Sequence, residues 1–325
     1  MRVKIKAIEY YLPSATEDAS VFKSNNPDWH IEEIEEKTGI CVRHVSEPGQ
    51  TAVDMGVIAV EKLFASGISK EEVDFIILIT QSPDYILPTS ACILQDRLGL
   101  KKTCVAFDVN LGCSGFIYGI AIAGALIETG VTKKGLVICS ETYTKYIDKS
   151  DRTCRPLFGD AASAVFLEAC SHDTLGPFEM GTDGSGFCDL IVPSSGARIS
   201  QGTVQNLKLF MDGSKVFMFT MEMVPKCVKA LLSKAAKTIN DIDLFIFHQA
   251  SKVVIDNIIR RLDLPKEKVF INFSQIGNTV SASIPIAIKD ALDQGRLKER
   301  DQVMLVGFGV GYSWGGCLMR WGVNS

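Results

Sequence analysis

The sequence predicts an α/β fold built from two duplicated βαβα halves. Two observations carry this reading. Short apolar, β-rich runs alternate with helical stretches, and the alternation occurs twice with matching spacing. Alternating strands and helices argue for parallel sheets covered by helices.

The elements follow in order. Residues 73–81 (VDFIILITQ) and 242–249 (IDLFIFHQ) each follow an acidic, helix-like segment and each read as a buried strand. Each leads into a helical stretch ending in Arg-Leu, at 91–98 and 250–262. A second pair of strands, 105–112 and 269–277, leads into Cys113 and Asn278 and then into apolar helices. The spacing from Gly112 to Gly130 equals that from Gly277 to Gly295. A third pair of strands follows at 135–140 and 302–307. Such internal similarity predicts a pseudo-twofold arrangement in which Cys113 and Asn278 are equivalent positions. The halves divide into 1–170 and 171–325. Within the second, 171–211 is rich in Gly, Ser, Pro and Asp and reads as connecting loops and short strands.

Composition narrows the function. A chain of 325 residues, 46% hydrophobic, buries enough surface to need no disulfide or metal staple. A formal charge of −4 argues against nucleic acid as a partner. Ten cysteines without CxxC or zinc-ligand spacing suit a reducing, cytoplasmic compartment and most read as small buried hydrophobes. No metal site is expected. The N-terminus has no apolar stretch of signal-peptide type, and the least charged run, about 109–127, carries Asn, Gly and Ser, so no membrane insertion is expected.

Three residues at strand or helix ends stand out. Cys113 follows a strand and a glycine and opens an apolar helix. Unpaired N–H groups there favour a thiolate and can hold an oxyanion. A small residue tucked between helix and sheet fits the same position. His248 ends a strand, where α/β proteins collect their chemistry, yet a hydrogen-bonded core histidine also fits. Asn278 can be a hydrogen-bond donor or a helix cap. Singly each admits the plain reading, whereas together they fall on one duplicated layout. Glycines in 307–311 (GFGVG) let backbone N–H groups approach a ligand.

These residues resemble the β-ketoacyl-(acyl carrier protein) synthase III family of thiolase-fold condensing enzymes. The resemblance runs nearly end to end, through 37–40 (KTGI), 88–98, the Phe107-Asp stretch to Cys113, Asp151-Arg152, 158–160 (FGD), 248–250 (HQA), 277–279 (GNT) and 308–315. It implies a five-layer αβαβα core, a homodimer and a Cys-His-Asn site at Cys113, His248 and Asn278. Cys113 then takes an acyl group from a thioester. His248 and Asn278 hold the thioester oxygen of malonyl-acyl carrier protein as it decarboxylates. The backbone N–H groups of Cys113 and Val310 form the oxyanion hole. By the same resemblance Gly213, Phe217, Ala250, Ser251, Phe308 and Arg152 are expected to line the pantetheine path, and Leu87 stands where relatives carry a Phe that reaches the partner's acyl pocket. No cofactor is implied beyond thioester substrates on coenzyme A or acyl carrier protein.

The chain departs from the family where coenzyme A is expected. Glu33 replaces a tryptophan, Lys37 an arginine, Ser251 an asparagine and Val253 an arginine, while Arg152 is kept. Glu33, Glu35 and Glu36 repel phosphates, which favours a carrier-bound donor. Lys252, Arg260 and Arg261 on one helix offer a docking face for an acidic carrier; a solvated Lys252–Asp256–Arg260 ladder is the alternative. Three rival functions remain at this point: a cysteine hydrolase of papain-like residue order, a non-decarboxylating acyltransferase of the same fold acting on a hydroxyl or amine, and a non-catalytic binding subunit.

Overall fold

The computed structural model describes residues 1–198 and 208–322. Residues 199–207 of the connecting segment, and the last three residues of the chain, lie outside the described residues.

Nine strands form two sheets: β1 (Val3–Tyr11), β2 (Phe75–Ile79), β3 (Val105–Val109), β4 (Lys134–Glu141), β5 (Ala161–Ala169), β6 (Leu175–Thr182), β7 (Leu244–Phe247), β8 (Gln302–Gly309) and β9 (Ser313–Arg320). Six helices pack on them: α1 (Ala52–Ala65), α2 (Ser90–Arg97), α3 (Gly115–Glu128), α4 (Gly213–Lys234), α5 (Lys252–Leu262) and α6 (Ser283–Asp293).

The first sheet runs β1-β5-β4-β2-β3 and the second β6-β9-β8-β7. Their pairing matches strand for strand. The outer two pairs of each sheet are antiparallel and the β4–β2 and β8–β7 pairs parallel. In the first sheet β3 then extends β2 in parallel, and in the second Val269 bridges Phe245 in parallel at the same place.

Side chains alternate across a strand, and here both faces are covered. Ile77 and Ile79 of β2 point inward onto Phe116 and Ile120 of α3. Their neighbours Ile76 and Leu78 point outward onto α1 and α2. In the second sheet Ile246 and Leu305 face Ile284 and Ile288 of α6, whereas Phe247 and Met304 face α4 and α5. The layers are therefore α1/α2, sheet, α3/α6, sheet, α4/α5. Helix α3 is apolar on nearly every side (GFIYGIAIAGALIE), as a helix between two sheets must be. Both middle helices are followed by a glycine at positive φ, Gly130 at 76° and Gly295 at 66°, where a left-handed turn ends the helix.

Three expectations are corrected. The sheets are mixed rather than parallel, because β1, β5, β6 and β9 return by antiparallel neighbours. The run 269–277 is no full strand: only Val269 bridges, and Phe273–Gln275 forms a short 3₁₀ turn. Asn272 there bonds to the Gln249 side chain and to Asp290 instead of a ladder. The connecting segment holds an eight-residue strand, β6, paired along β9.

Phe116 sits at the centre of the middle layer and is fully buried. Its replacement by alanine is expected to cost about 3–5 kcal/mol, read as a lowered urea midpoint followed by circular dichroism.

Candidate active site

The fold gathers its chemistry at one end of the middle layer. Cys113 lies between β3 and α3, two residues before the helix begins. His248 follows the last residue of β7, Val310 follows β8, and Asn278 precedes the short turn that opens α6. Cys113, His248 and Asn278 all line one cavity of about 510 Å³. This convergence matches the sequence expectation that these residues meet.

The glycine loop explains how close the strand comes. A Cβ on Gly309 would lie 2.9 Å from the Cys113 Sγ, and one on Gly307 would lie 2.6 Å from the Cys113 carbonyl oxygen. Only glycine permits that approach. The backbone N–H groups of Cys113 and Val310 both favour charge on the Cys113 sulfur, so the two expected oxyanion donors face the nucleophile.

The thiol itself differs from the sequence expectation. Burial, then the nearby Glu141 carboxylate, pushes Cys113 up to about 12, against the two N–H groups that lower it. The resting group is a thiol, because desolvation outweighs the favourable N–H groups of its loop.

His248 is buried and pulled down to about 3 by desolvation, so its ring is neutral near pH 7. Its Nδ1 lies 2.7 Å from the Ser283 Oγ, and its ring meets Phe308 edge-on with centroids 5.5 Å apart. A serine hydroxyl donates or accepts. With Ser283 donating, Nε2 carries the proton and donates; with Ser283 accepting, Nε2 is free to take a proton.

Asn278 is not a helix cap; the residue before α6 is Ala282. Its Oδ1 accepts from the Val280 N–H at 3.0 Å, which leaves Nδ2 as its donor. Its backbone is pinned as well: its N–H donates to Leu157 and its carbonyl accepts from Gly159, both at 2.9 Å. Val280 adopts φ +54°, a strained setting for a β-branched residue, and the Asn278 side chain holds it there.

Of the other expected residues, Gly213, Phe217, Ala250, Ser251, Val253 and Phe308 line the same cavity. Arg152 does not. It lies with Glu33, Lys37 and His30 around a small pocket of about 170 Å³, and Lys37 also borders the large cavity. Leu87 is 80% exposed, beside the exposed Tyr85 and Ile86. On α5, Lys252, Arg260 and Arg261 are exposed. Lys252 pairs with Asp256 at 2.7 Å, but Arg260 turns to Asn257, so the expected three-residue ladder stops after one rung.

Sequence reasoning missed Glu141. It ends β4, is fully buried, and is paired with no cation among the described residues. It accepts from the Ser82 Oγ at 2.9 Å, the Gln81 N–H at 3.1 Å and the Ser281 Oγ at 2.8 Å. Burial raises it to about 7 despite those donors. A lone acidic residue closing the apolar run 135–140 was the available signal.

The sign of this shift is testable. The folded state holds the Glu141 proton more tightly than the unfolded chain does, so its contribution to stability is greatest below its ordinary value of 4.5 and declines as pH rises to about 7. The decline is on the order of 3 kcal/mol. Thermal unfolding of Glu141→Gln and wild type from pH 4.5 to 8 is expected to show the variant gaining relative stability as pH rises. Parallel curves would contradict this.

Comparisons with known proteins place the chain in a family. The family sequence model described as 3-oxoacyl-[acyl-carrier-protein (ACP)] synthase III matches residues 107–184, and that of its C-terminal part matches 232–321. The β-ketoacyl-[acyl-carrier-protein] synthase III of Natranaerobius thermophilus is 38% identical over 94% of both chains. A crystal structure of a 3-oxoacyl-(acyl-carrier-protein) synthase III superposes with a TM-score of 0.96 at 39% identity, covering 99% of this chain and 100% of the other. The priming β-ketosynthase of the R1128 polyketide pathway superposes with a TM-score of 0.90 at 28% identity, covering 98% and 96%.

Proposed function

This chain belongs to the 3-oxoacyl-[acyl-carrier-protein] synthase III family, and from that premise we propose that it is an acyl-transferring, decarboxylating condensing enzyme of fatty-acid or related polyketide synthesis. The observation that carries the reading is the meeting of Cys113, His248 and Asn278 on one cavity wall.

The reaction divides in two. In the first half, the Cys113 sulfur attacks the carbonyl of an acyl thioester while Nε2 of neutral His248 takes the thiol proton. The N–H groups of Cys113 and Val310 hold the oxyanion. The donor's C–S bond breaks, and its thiolate leaves with that proton. In the second half, the malonyl-pantetheine arm of malonyl-acyl carrier protein occupies the large cavity. Its C–C bond to the carboxylate breaks, carbon dioxide leaves, and the electron pair forms an enolate. Its oxygen is held by His248 Nε2–H and Asn278 Nδ2. The enolate carbon attacks the acyl-cysteine, the new C–C bond forms, the acyl C–S bond breaks, and the Cys113 thiolate leaves and takes one proton from solvent. Donors fixed in a buried site stabilise such an enolate without reorganising. No cofactor beyond the thioester substrates enters this scheme.

Intact mass after incubation with acyl thioesters tests the first half. Wild type is expected to gain one acyl group and Cys113→Ala none; an adduct that persists in that variant overturns the assignment. Asn278→Ala is expected to keep acylation and lose condensation by about 10²-fold. A product ester or amide in place of a 3-oxoacyl thioester would show the non-decarboxylating chemistry instead.

The residues of the two pockets bear on the choice of donor. Glu33 shares its small pocket with Lys37 and Arg152, and apolar Val253 lines the large cavity. Carboxylate beside the cations weakens phosphate binding, so the reading favours an acyl group on a carrier protein over coenzyme A. The exposed Lys252, Arg260 and Arg261 suit an acidic carrier, Arg260 and Arg261 more than the Asp256-bound Lys252. Acyl-CoA is expected to load Cys113 more slowly than the acyl-carrier, and Glu33→Gln to narrow the gap. Equal loading by both donors in wild type would refute it.

The exposed apolar Tyr85-Ile86-Leu87 stretch supports a homodimer, since such patches mark interaction surfaces. The ten cysteines suit the reducing cytoplasm.

A further inference from the structure

A second cavity, of about 270 Å³, is lined in part by Val310, whose backbone N–H faces the Cys113 sulfur. Its walls include Gln81, Tyr143, Tyr146, Leu209 and Val310. Leu190 belongs to both cavities, and Cys113 packs in one cluster with Tyr143, Leu190 and Leu209. The Gln81 Oε1 lies against the backbone of Gly112, 2.5 Å from where a Cβ would stand. An acyl group on Cys113 therefore has this cavity beside it, while the large cavity takes the pantetheine arm.

The wall carries a fixed polar pair. The Tyr143 hydroxyl donates to Gln81 Oε1 at 2.9 Å. Tyr143 is buried, and burial raises its phenol well above the ordinary range, so it stays a neutral donor. The Gln81 backbone N–H is already taken by Glu141. The carboxamide is thus held by its oxygen, and its Nε2 has no partner among the described residues. The Tyr146 hydroxyl, half-buried on the same wall, has none either. An alkyl group filling the cavity would gain apolar contact but strip water from both and return no hydrogen bond. A carboxylate-bearing group would meet the repulsion of Glu141 once that group ionises. A neutral oxygen avoids both costs.

We infer that the acyl group loaded on Cys113 is short and bears a neutral hydrogen-bond-accepting oxygen, a hydroxyl or ketone, received by Gln81 Nε2. The inference rests on the condensing-enzyme reading above and names the substrate class of that same site.

The test loads full-length protein with the N-acetylcysteamine thioesters of butyrate, 3-hydroxybutyrate, 3-oxobutyrate and succinate, and follows the Cys113 adduct by intact mass. The 3-hydroxy or 3-oxo group is expected to load about three- to tenfold faster than butyryl, and succinyl more slowly than either. The oxygenated-to-butyryl ratio is expected to fall towards one in Gln81→Met, which keeps the length and removes the N–H donor. Tyr143→Phe, which frees the carboxamide while leaving the ring, is expected to lower the same ratio and serves if the first variant does not fold. Butyryl loading as fast as the oxygenated groups in wild type overturns the inference, as does a ratio unchanged in a folded variant. Absence of any Cys113 adduct with all four donors counts against the condensing-enzyme reading itself, so the two failures are distinct.

Discussion

The buried carboxylate of Glu141 is the constraint around which the site is assembled. It stands at the end of β4 and receives donors from two directions. Ser82 and the Gln81 backbone come from the loop after β2, and Ser281 comes from the loop that carries Asn278. One carboxylate therefore joins the first sheet to the polypeptide that supplies the donor of the second half-reaction. A carboxyl group buried without a cation is costly to ionise, and three donors at 2.8–3.1 Å offset that cost in part, leaving it raised to about 7. Losing the carboxylate would leave those donors unpaired and release the register between the two loops.

The duplication supplies the rest of the geometry and is used unequally. The two middle helices run between the same two sheets, and the loops before them deliver Cys113 and Asn278 to a common cavity. The local backbones differ because the tasks differ. The loop of Cys113 brings the thiol against Gly309 and under the Val310 N–H. The loop of Asn278 is instead tied to Leu157 and Gly159 and tightened through Val280 at positive φ. A nucleophile needs a close oxyanion hole, whereas an amide donor needs its own oxygen anchored so that the nitrogen faces the substrate.

Legibility in the sequence followed the physics of each element. Strands β2, β4, β7 and β8 are buried on both faces, so they appear as unbroken apolar runs, and the all-apolar α3 announces a central position. The edge strand β6 was hidden in its sequence (LGPFEMGT), whose glycines and proline read as loop. The run 269–277 had strand-like residues but spends its polar groups on Gln249 and Asp290, a tertiary choice that no local pattern reports. Cys113, His248 and Asn278 were visible because they sit at ends of duplicated elements. Glu141, Ser283 and the Gln81–Tyr143 pair were not, since each acts through a partner distant in the chain.

The thiol and the imidazole are both neutral at rest, and this suits both half-reactions. Burial keeps Cys113 protonated and His248 neutral. A permanent thiolate beside His248 would draw out an imidazolium and bind it as an ion pair, which would leave no Nε2 lone pair to accept a proton. Neutral partners keep that lone pair available in acylation. Ser283 then matters because its hydroxyl supports the ring with Nε2 bare or with Nε2 protonated. The first form receives the thiol proton, and the second donates to the enolate oxygen. On the substrate, negative charge develops on the oxygens during reaction. There the N–H groups of Cys113 and Val310, the imidazole and the Asn278 amide meet it in a medium too dry for water to compete.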